Sequence, residues 1–274
     1  MANFTKREII YYFDGSFEGF LCCAFESFSR REIPVDIVSA KDLQPSLLEQ
    51  YFIETDLEKA ERVKKSIRSK IGDAALELLQ NAMWTILEHK EMAMLDFMRL
   101  GYKNGFKTVN LLANDTVDVL TKAVKFLNRE TMFFTEFIRF SVHADLLFAK
   151  IKPKNFVLPF ITPHFIARFT NEKFAIYDET HSELCVYAKG RWQISEVSGM
   201  EIPLPDGSET EYRKLWKMFY DNAAVEGRIN HKCRMTHMPK RYWSNLTEFQ
   251  TVPVKNKKEE IFTIGTSLPQ KPQT

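Results

Sequence analysis

The spacing of apolar residues divides the chain into a mainly helical first part and a strand-rich second part. A short β-prone run, IIYYF at residues 9–13, ends at Asp14-Gly15, and apolar residues then recur at helical spacing over residues 17–28. Thr55 with Glu58 three residues later is typical of a capping box, which predicts the start of the next helix. Further helices are predicted over residues 73–88, 91–100 and 115–134. Residues 1–135 are therefore predicted to be helix-rich.

After residue 136 the pattern favours β-strands. The runs FIRFSV and LLFAKI come first, and residues 174–177, 184–188 and 192–197 supply three more. Between these groups, Thr162-Pro163 fits the N-cap and the first position of a short helix that ends near Phe169. We predict an α+β fold, in which a helical lobe packs against an antiparallel sheet lobe of about five strands.

The domain organisation follows from the same pattern and from the composition of the two ends. Residues 1–250 are predicted to form a single compact α+β unit, whose part 136–250 holds the strands and two C-terminal helical segments. Residues 251–274 are polar and contain three Pro, which predicts a weakly ordered tail. The N-terminus has no apolar signal region, and no apolar stretch approaches the ~18 residues that span a bilayer. We therefore expect a cytoplasmic protein with no membrane contact.

Composition changes this picture mainly through the distribution of charge. The chain has 274 residues, 38 Lys and Arg against 36 Asp and Glu, a net charge of +2, and 45% hydrophobic residues, which suffices for a sizeable core. Eight of the basic residues and one of the acidic residues fall within residues 228–258. This end therefore carries a net charge of +7 and the remainder −5, so a near-neutral total does not exclude a nucleic-acid partner.

Cofactor motifs are missing from the sequence. Cys22 and Cys23 are adjacent while Cys185 and Cys233 stand alone, so no CxxC pair and no Cys/His ligand spacing exists. The sequence also lacks GxGxxG and GxxxxGK[ST], the usual dinucleotide and P-loop motifs. We expect no metal and no cofactor.

The Asp14-Gly15-Ser16 turn stands between a predicted strand and a predicted helix N-terminus. Unpaired backbone N–H groups and the helix dipole favour an anion at such a place. Two interpretations are open: a capping turn in which Gly15 has a positive φ, or a site for a phosphate or another polar ligand. Asp14 itself would repel a phosphate, which favours the capping turn.

Four polar residues around the inserted helix are the candidates for catalysis. His164 and Arg168 are four residues apart and project from one helix face, Arg139 lies on a neighbouring predicted strand, and Asp178 ends another. Together they could bind a phosphate diester and move a proton. A salt-bridge cluster that ties the helix to the sheet explains the same residues, so both interpretations stay open.

The basic segment, RINHKCRMTHMPKRYW at residues 228–243, combines cations with aromatic residues and has no acidic residue. Cations neutralise phosphates and aromatic faces stack on exposed bases, so this composition predicts nucleic-acid contact. The alternative is a solvated basic end whose aromatic residues pack into the core. The residues predicted to contact nucleic acid are Arg228, Lys232, Arg234, Lys240, Arg241 and Trp243.

Five motifs occur along the chain in the order YYFDGSFEGFLCCAFESF, FIRF, PHFIARF, FAIYDETHSELCVY and MPKRYWSNLTEF. In this order they resemble a bacterial family of unknown function whose members are labelled probable DNA metabolism protein. The resemblance spans residues 9–249, and DGSFEG together with the late MPKRYW is its specific pairing. The matching positions are Asp14, Gly15, Glu18, Gly19, Arg139, His164, Arg168, Asp178 and residues 238–243.

The resemblance implies a role in DNA metabolism without implying a reaction. Members of the family accompany a radical SAM protein proposed to act in DNA modification or repair, and some are fused to a uracil-DNA glycosylase domain. The similarity ends near residue 249, so we do not expect glycosylase activity of this chain. Met132 stands where a family His is expected, in an E-x-H pattern that begins at Glu130.

We predict an accessory nucleic-acid-binding partner of a DNA modification or repair enzyme, with DNA and the radical SAM protein as its partners. The sequence does not distinguish single-stranded from double-stranded DNA. Two alternatives remain open. One is a DNA-processing enzyme in which His164 acts as acid or base, and the other is a protein-interaction partner that does not contact nucleic acid.

Overall fold

The structure, a computed structural model, describes residues 4–197, 207–223 and 230–249, and the chain divides into two compact units, Met1–Ile202 and Pro203–Thr274. The predicted tail at residues 251–274 and Arg228 lie outside the described residues. The single compact unit expected for residues 1–250 stays a prediction. The helices of the described residues are α1 (Phe17–Arg30), α2 (Leu57–Lys70), α3 (Asp73–Ala82), α4 (Lys90–Asn104), α5 (Asp115–Phe137), α6 (Leu158–Arg168), α7 (Gly207–Ala223) and α8 (His231–His237).

The strands all belong to the first unit, as far as the structure describes the chain. They are β1 (Thr5–Lys6), β2 (Ile9–Phe13), β3 (Glu32–Ile33), β4 (Asp36–Ser39), β5 (Glu49–Phe52), β6 (Ser141–His143), β7 (Leu146–Ile151), β8 (Lys173–Asp178), β9 (Glu183–Ala188) and β10 (Arg191–Glu196). Three short 3-10 helices complete the described elements: Gly105–Asn110, Lys240–Asn245 and Thr247–Phe249.

The N-terminal part builds a small parallel sheet with the order β4-β2-β5. Helix α1 connects β2 to β4, and a crossover of this kind allows the two strands to run parallel. The buried side of α1 includes Phe20, Leu21 and the thiols Cys22 and Cys23, which pack into a core shared with α2, α3, α4 and α5. Parallel strands need cover on both faces, and the surrounding helices supply part of it.

Helix α2 begins one residue later than the capping-box pattern predicts. Asp56 is the N-cap, because its Oδ1 accepts hydrogen bonds from the backbone N–H groups of Glu58 and Lys59 at 2.9 and 3.1 Å. Thr55 instead donates its hydroxyl to Asp14 Oδ2 at 2.8 Å. The capping prediction at Thr55 was wrong because a distant carboxylate competes for its hydroxyl.

The second sheet has five strands in the order β10-β9-β8-β7-β6, and the predicted α+β class is confirmed. Neighbouring strands are antiparallel except for β7 and β8, which are parallel. Helix α6 lies between these two strands in the chain and provides the crossover that a parallel pair needs. The prediction of an antiparallel arrangement throughout was wrong at this pair.

Helix α6 starts at Leu158, earlier than Thr162-Pro163 predicts. Pro159 occupies the first turn, where a missing N–H costs nothing, while Pro163 lies inside the helix. The buried hydroxyl of Thr162 donates to the carbonyl of Leu158 at 2.7 Å and contacts Cys185 Sγ at 3.2 Å. The helix is therefore anchored to β9 through a side chain that the sequence suggested as a cap.

Aromatic packing holds α6 against this sheet. The ring of Phe140 lies 5.1 Å from the rings of Phe165 and Phe169 and 6.0 Å from that of Phe174, all in T-shaped arrangements. Phe140 follows α5, which continues to Phe137, so the FIRF motif forms a helix end and a loop instead of the predicted strand. Within the described residues no helix is both long enough and apolar enough to cross a bilayer.

Candidate functional site

The Asp14-Gly15-Ser16 turn satisfies its own hydrogen-bonding groups. Asp14 Oδ1 accepts from the backbone N–H and the hydroxyl of Ser16 at 2.9 and 2.6 Å, and Ser16 Oγ accepts from the N–H of Gly19 at 2.9 Å. Burial alone would raise the pKa of Asp14. The hydrogen bonds from Ser16 and Thr55 lower it by more than burial raises it, so the pKa lies below its usual value. An ionised carboxylate thus occupies the start of α1. This geometry favours the capping interpretation, with Gly15 at φ +86°, over an anion site.

Apart from Asp178, the candidates for catalysis lie at the surface of α6 or just after the end of α5. His164 and Arg168 are exposed on α6, and the Arg168 guanidinium lies 5.8 Å from the ring centre of Phe169. Arg139 is half-buried, and its Nη1 donates to the carbonyls of Glu136 and Ile138 at 3.2 and 3.4 Å.

Asp178 is fully buried at the end of β8 and binds His181. Its Oδ2 lies 2.6 Å from His181 Nδ1, and its Oδ1 accepts from the backbone N–H groups of Thr180 and His181 at 2.9 and 3.2 Å. A carboxylate only accepts, so this contact suits a ring that carries a proton on Nδ1 and leaves Nε2 outside the hydrogen bond. His181 is not among the residues predicted from the sequence, although an Asp followed three residues later by His at a strand end is a usable signal.

Aromatic rings pack against one side of the Asp178–His181 pair. The His181 ring meets Phe156 edge-on at 5.3 Å, and Phe156 stacks on Trp84 at 5.4 Å. The His181 side chain is 29% exposed, so its ring remains accessible beside these rings. The pair has the parts of an acid–base group: a buried carboxylate that orients an accessible imidazole.

Arg234 is the centre of the basic segment in the second unit. Its guanidinium lies 5.2 Å from the ring centre of Trp243 and 5.3 Å from that of Phe249, and these two rings stack at 4.5 Å. Nη2 donates to His231 Nδ1 at 3.0 Å, while Nε is buried without an acceptor. The Trp243 indole donates to the carbonyl of Met238 at 2.9 Å. Two of the predicted nucleic-acid residues, Arg234 and Trp243, therefore also hold the segment together.

The remaining described cations of the basic segment are exposed. Lys232, Lys240 and Arg241 all lie at the surface, and Arg241 stacks over the buried ring of Tyr242 at 4.8 Å. Among the described residues no ion pair engages Lys232 or Lys240. Glu248, the first acidic residue after the segment, is buried and accepts from the Trp216 indole at 3.0 Å. The segment thus presents positive charge on a base of stacked rings.

Two further features concern metals and the position of Met132. The described part of the chain contains no group of three or more His, Cys, Asp or Glu that could hold a metal ion. Met132 lies on α5 and is 49% exposed, two residues after the buried Glu130. A histidine at this position would therefore stand on the exposed side of α5.

Comparison with known families identifies the later part of the chain. Residues 88–248, more than half of the sequence, match the family model described as a domain of unknown function, DUF4130. The match includes the FIRF, PHFIARF, DETH and MPKRYW motifs, and it begins after the DGSFEG motif. No curated protein matches the chain. The chain therefore belongs to the DUF4130 family of domains of unknown function.

Proposed function

We propose that this protein binds DNA as an accessory partner of a DNA modification or repair enzyme. The observation that carries the proposal is the exposed triplet of cations in the basic segment, Lys232, Lys240 and Arg241. A protein that neutralises phosphates releases counterions, and this release supplies most of the affinity in non-specific nucleic-acid binding. The surface is positive although the whole chain is nearly neutral.

The rigidity of the basic segment supports this role. The stack of Arg234, Trp243 and Phe249 fixes the backbone that carries the three exposed cations. A cation held on a fixed backbone loses less conformational entropy when it meets a phosphate than one on a mobile tail. Lys240 also lies 5.9 Å from the Trp243 ring, which restricts its side chain further.

The partner enzyme is proposed from the family resemblance. The family whose motifs this chain shares accompanies a radical SAM protein in DNA metabolism, and an accessory DNA-binding protein would hold the substrate for such an enzyme. Co-purification of the two proteins from cells that express both, with and without nuclease treatment, tests this part separately. Failure to co-purify under both conditions contradicts the partnership and leaves DNA binding intact.

The DNA-binding test compares two triple variants of equal charge. Lys232→Ala/Lys240→Ala/Arg241→Ala removes the exposed triplet, and Lys125→Ala/Lys189→Ala/Lys214→Ala removes three other exposed lysines. Arg234 is left in place because its loss would disturb the stack beneath. In fluorescence anisotropy we expect the first variant to bind DNA about tenfold more weakly. The salt slope, meaning the slope of the logarithm of the binding constant against the logarithm of the salt concentration, should become smaller in magnitude by about 2. Equal effects of both variants, or no saturable binding by the parent at low salt, would contradict the proposal.

The Asp178–His181 pair supports a second candidate function, a DNA-processing enzyme. In this alternative His181 takes the acid–base role that the sequence suggested for His164, because the buried carboxylate orients it. The test uses single-stranded and duplex DNA that carries uracil or damaged bases. Loss of product formation in His181→Ala but not in His164→Ala would support this candidate. Equal activity of the parent and His181→Ala would eliminate it.

A further inference from the structure

A groove in the first unit is lined by cations and aromatic rings, and we call it the basic aromatic groove. It encloses about 720 Å³, within the roughly 300–1,000 Å³ range of ligand pockets. Helices α1, α2 and α4 form its walls, and Phe4 closes one side. The cations that line it are Arg31, Arg62, Lys70, Arg99 and Lys103, and the aromatic residues are Phe4, Phe25, Phe28 and Tyr102.

The positive charge of the groove is not neutralised from within. None of the described residues that line it carries a carboxylate. Arg31, Arg62, Lys70 and Lys103 form no ion pair with any residue that the structure describes. Several cations elsewhere on the same helices are paired: Lys59 and Lys64 bind Glu26 and Glu18 at 3.1 and 2.6 Å, and Arg30 also binds Glu26. Lys65 on α2 lies outside the groove and is exposed. Four cations that form no ion pair with any described residue thus line one groove.

Arg99 has an unsatisfied donor at the groove. Its Nη1 donates to Asp96 at 3.1 Å, and its guanidinium lies 4.9 Å from the ring centre of Phe4. The Nε atom is buried and has no acceptor. A buried donor without an acceptor costs free energy, and this cost falls on a residue whose side chain lines the groove.

The aromatic rings form a continuous edge-to-face series along the groove. Phe28 lies between Phe4 and Tyr102, at 5.5 and 5.2 Å, and both pairs are T-shaped. Arg62 lies 5.5 Å from the ring centre of Phe25, and Lys70 lies 5.7 Å from that of Tyr102. These rings are only partly buried, so planar groups of a ligand can reach them beside the cations.

We propose that the basic aromatic groove binds a single-stranded segment of nucleic acid, with phosphates on the cations and unpaired bases against the rings. This inference rests on the proposed DNA-binding function and gives it a second, separate surface. Alternating cations and aromatic rings are the combination that non-specific single-strand binders use. The bases of a duplex are stacked on each other, so rings inside a groove cannot reach their faces. An anionic membrane is a broad, flat surface, and a strand that enters the groove reaches its rings more easily than such a surface does.

The first test measures single-strand binding after charge removal. Arg62→Ala/Lys70→Ala/Lys103→Ala removes three exposed groove cations, and the matched control Lys65→Ala/Lys107→Ala/Lys125→Ala removes three exposed lysines outside the groove. With a fluorescent single strand of about 20 nucleotides, we expect the groove variant to lose about tenfold in affinity and about 2 from the salt slope. The control should change by less than about threefold, and duplex binding should respond less than single-strand binding.

The second test separates stacking from charge. Phe25→Leu keeps most of the apolar volume and removes the ring, so single-strand affinity should fall by about fivefold or more while the salt slope stays unchanged. Thermal unfolding of the variant checks that the fold is intact. Affinity equal to that of the parent would overturn the base-stacking part of the proposal.

The third test uses the parent protein and needs no substitution. A single strand that contains 5-bromodeoxyuridine is cross-linked by light, and the attached peptides are mapped. Cross-links at Phe25, Phe28 or Tyr102 would support the groove. Cross-links confined to residues 230–249 would overturn it.

The combined outcomes distinguish the groove from the proposed function. If the groove variant binds like the parent while the Lys232/Lys240/Arg241 variant loses binding, the groove proposal is wrong and the function stands. The reverse result supports the groove and removes the basic segment as the binding surface. If the parent binds no nucleic acid, both proposals fall. If the groove variant loses binding to anionic vesicles and keeps single-strand binding, the groove is a membrane site and the proposal is overturned.

Discussion

Two carboxylates of the first unit respond to their surroundings in opposite directions. Burial raises the pKa of Glu91, because the charged form loses water that no strong partner replaces. The hydrogen bond from Lys64 at 2.6 Å lowers the pKa of Glu18, and this effect exceeds the opposing effect of burial. Both residues lie in the first turn of a helix, so the helix dipole alone does not explain the difference.

At the residue scale we predict opposite pH profiles for Glu91→Gln and Glu18→Gln. A raised pKa in the folded state contributes stability at low pH that is lost as the pH rises, so Glu91→Gln should gain stability relative to the parent towards neutral pH. A lowered pKa contributes stability above the unfolded value that is lost at low pH, so Glu18→Gln should be less stable at neutral pH and approach the parent in acid. Urea unfolding between about pH 3 and about pH 7 measures both differences, because the lowered pKa of Glu18 lies at the acid end of this range. Parallel profiles for the two variants would contradict the assignment.

The identities of single site residues were only partly predictable from the sequence. Asp178 was predicted as a candidate because it ends a strand. Its hydrogen-bond partner is His181, whereas the sequence grouped it with His164. A buried carboxylate needs hydrogen-bond donors, and those closest in the chain are in the turn after β8. This turn supplies backbone N–H groups and the ring of His181. His164 was chosen from helical spacing, which gives the face of a helix but not what that face meets.

At the element scale, hydrophobic period identified most helices and strands, whereas their ends and pairing depended on distant contacts. The five strands of the second sheet were predicted, yet the parallel pairing of β7 with β8 depends on where α6 crosses the sheet. Strand β4, with one fully buried residue, Ile37, gave no clear period and was not predicted. The end of α5 was placed too early because aromatic and β-branched residues at its C-terminus resemble a strand.

Glu130 connects helix α5 to the segment that precedes α6. It is 1% exposed, its Oε1 accepts from the N–H of Lys154 at 2.9 Å, and its Oε2 accepts from the N–H and side-chain amide of Asn155 at 2.8 and 2.6 Å. The Asn155 amide oxygen in turn accepts from the N–H of Ile86 at 3.0 Å. One carboxylate thus fixes three backbone segments.

We predict that Glu130→Gln destabilises the protein by about 1–3 kcal/mol. In the parent, both carboxylate oxygens of Glu130 accept from N–H groups. In the variant, the NH2 group of the glutamine faces one of these N–H groups, so at least one buried hydrogen bond is lost. Glu136→Gln, at an exposed position of the same helix, is the matched control and should change stability by less than about 0.5 kcal/mol. Chemical denaturation gives both values. Equal stability of the two variants would show that the Glu130 bonds contribute no more than a surface contact.

Among the residues that the structure describes, positive charge lies on two surfaces, the basic segment and the basic aromatic groove, although the whole chain is nearly neutral. The basic segment was evident from the sequence, because its cations are contiguous and no acidic residue interrupts them. The basic aromatic groove was not, because its cations come from α1, α2 and α4, far apart in the chain. Which of those cations stay unpaired depends on carboxylates that the fold brings near some of them and not others.

Two surfaces on one chain predict a particular dependence on the length of the strand. An oligonucleotide of about six nucleotides can occupy one surface, and one of about 40 nucleotides can occupy both, so that the second contact becomes intramolecular. For the parent we expect the longer strand to bind at least about 100-fold more tightly than the shorter one. Variants that lack the cations of either surface should gain clearly less than the parent over the same change in length, because only the larger number of binding registers on the longer strand then contributes. Anisotropy titrations with both lengths measure these ratios at one salt concentration. If the parent and both variants respond equally to length, the two surfaces do not hold the same strand, and each must be assigned its ligand separately.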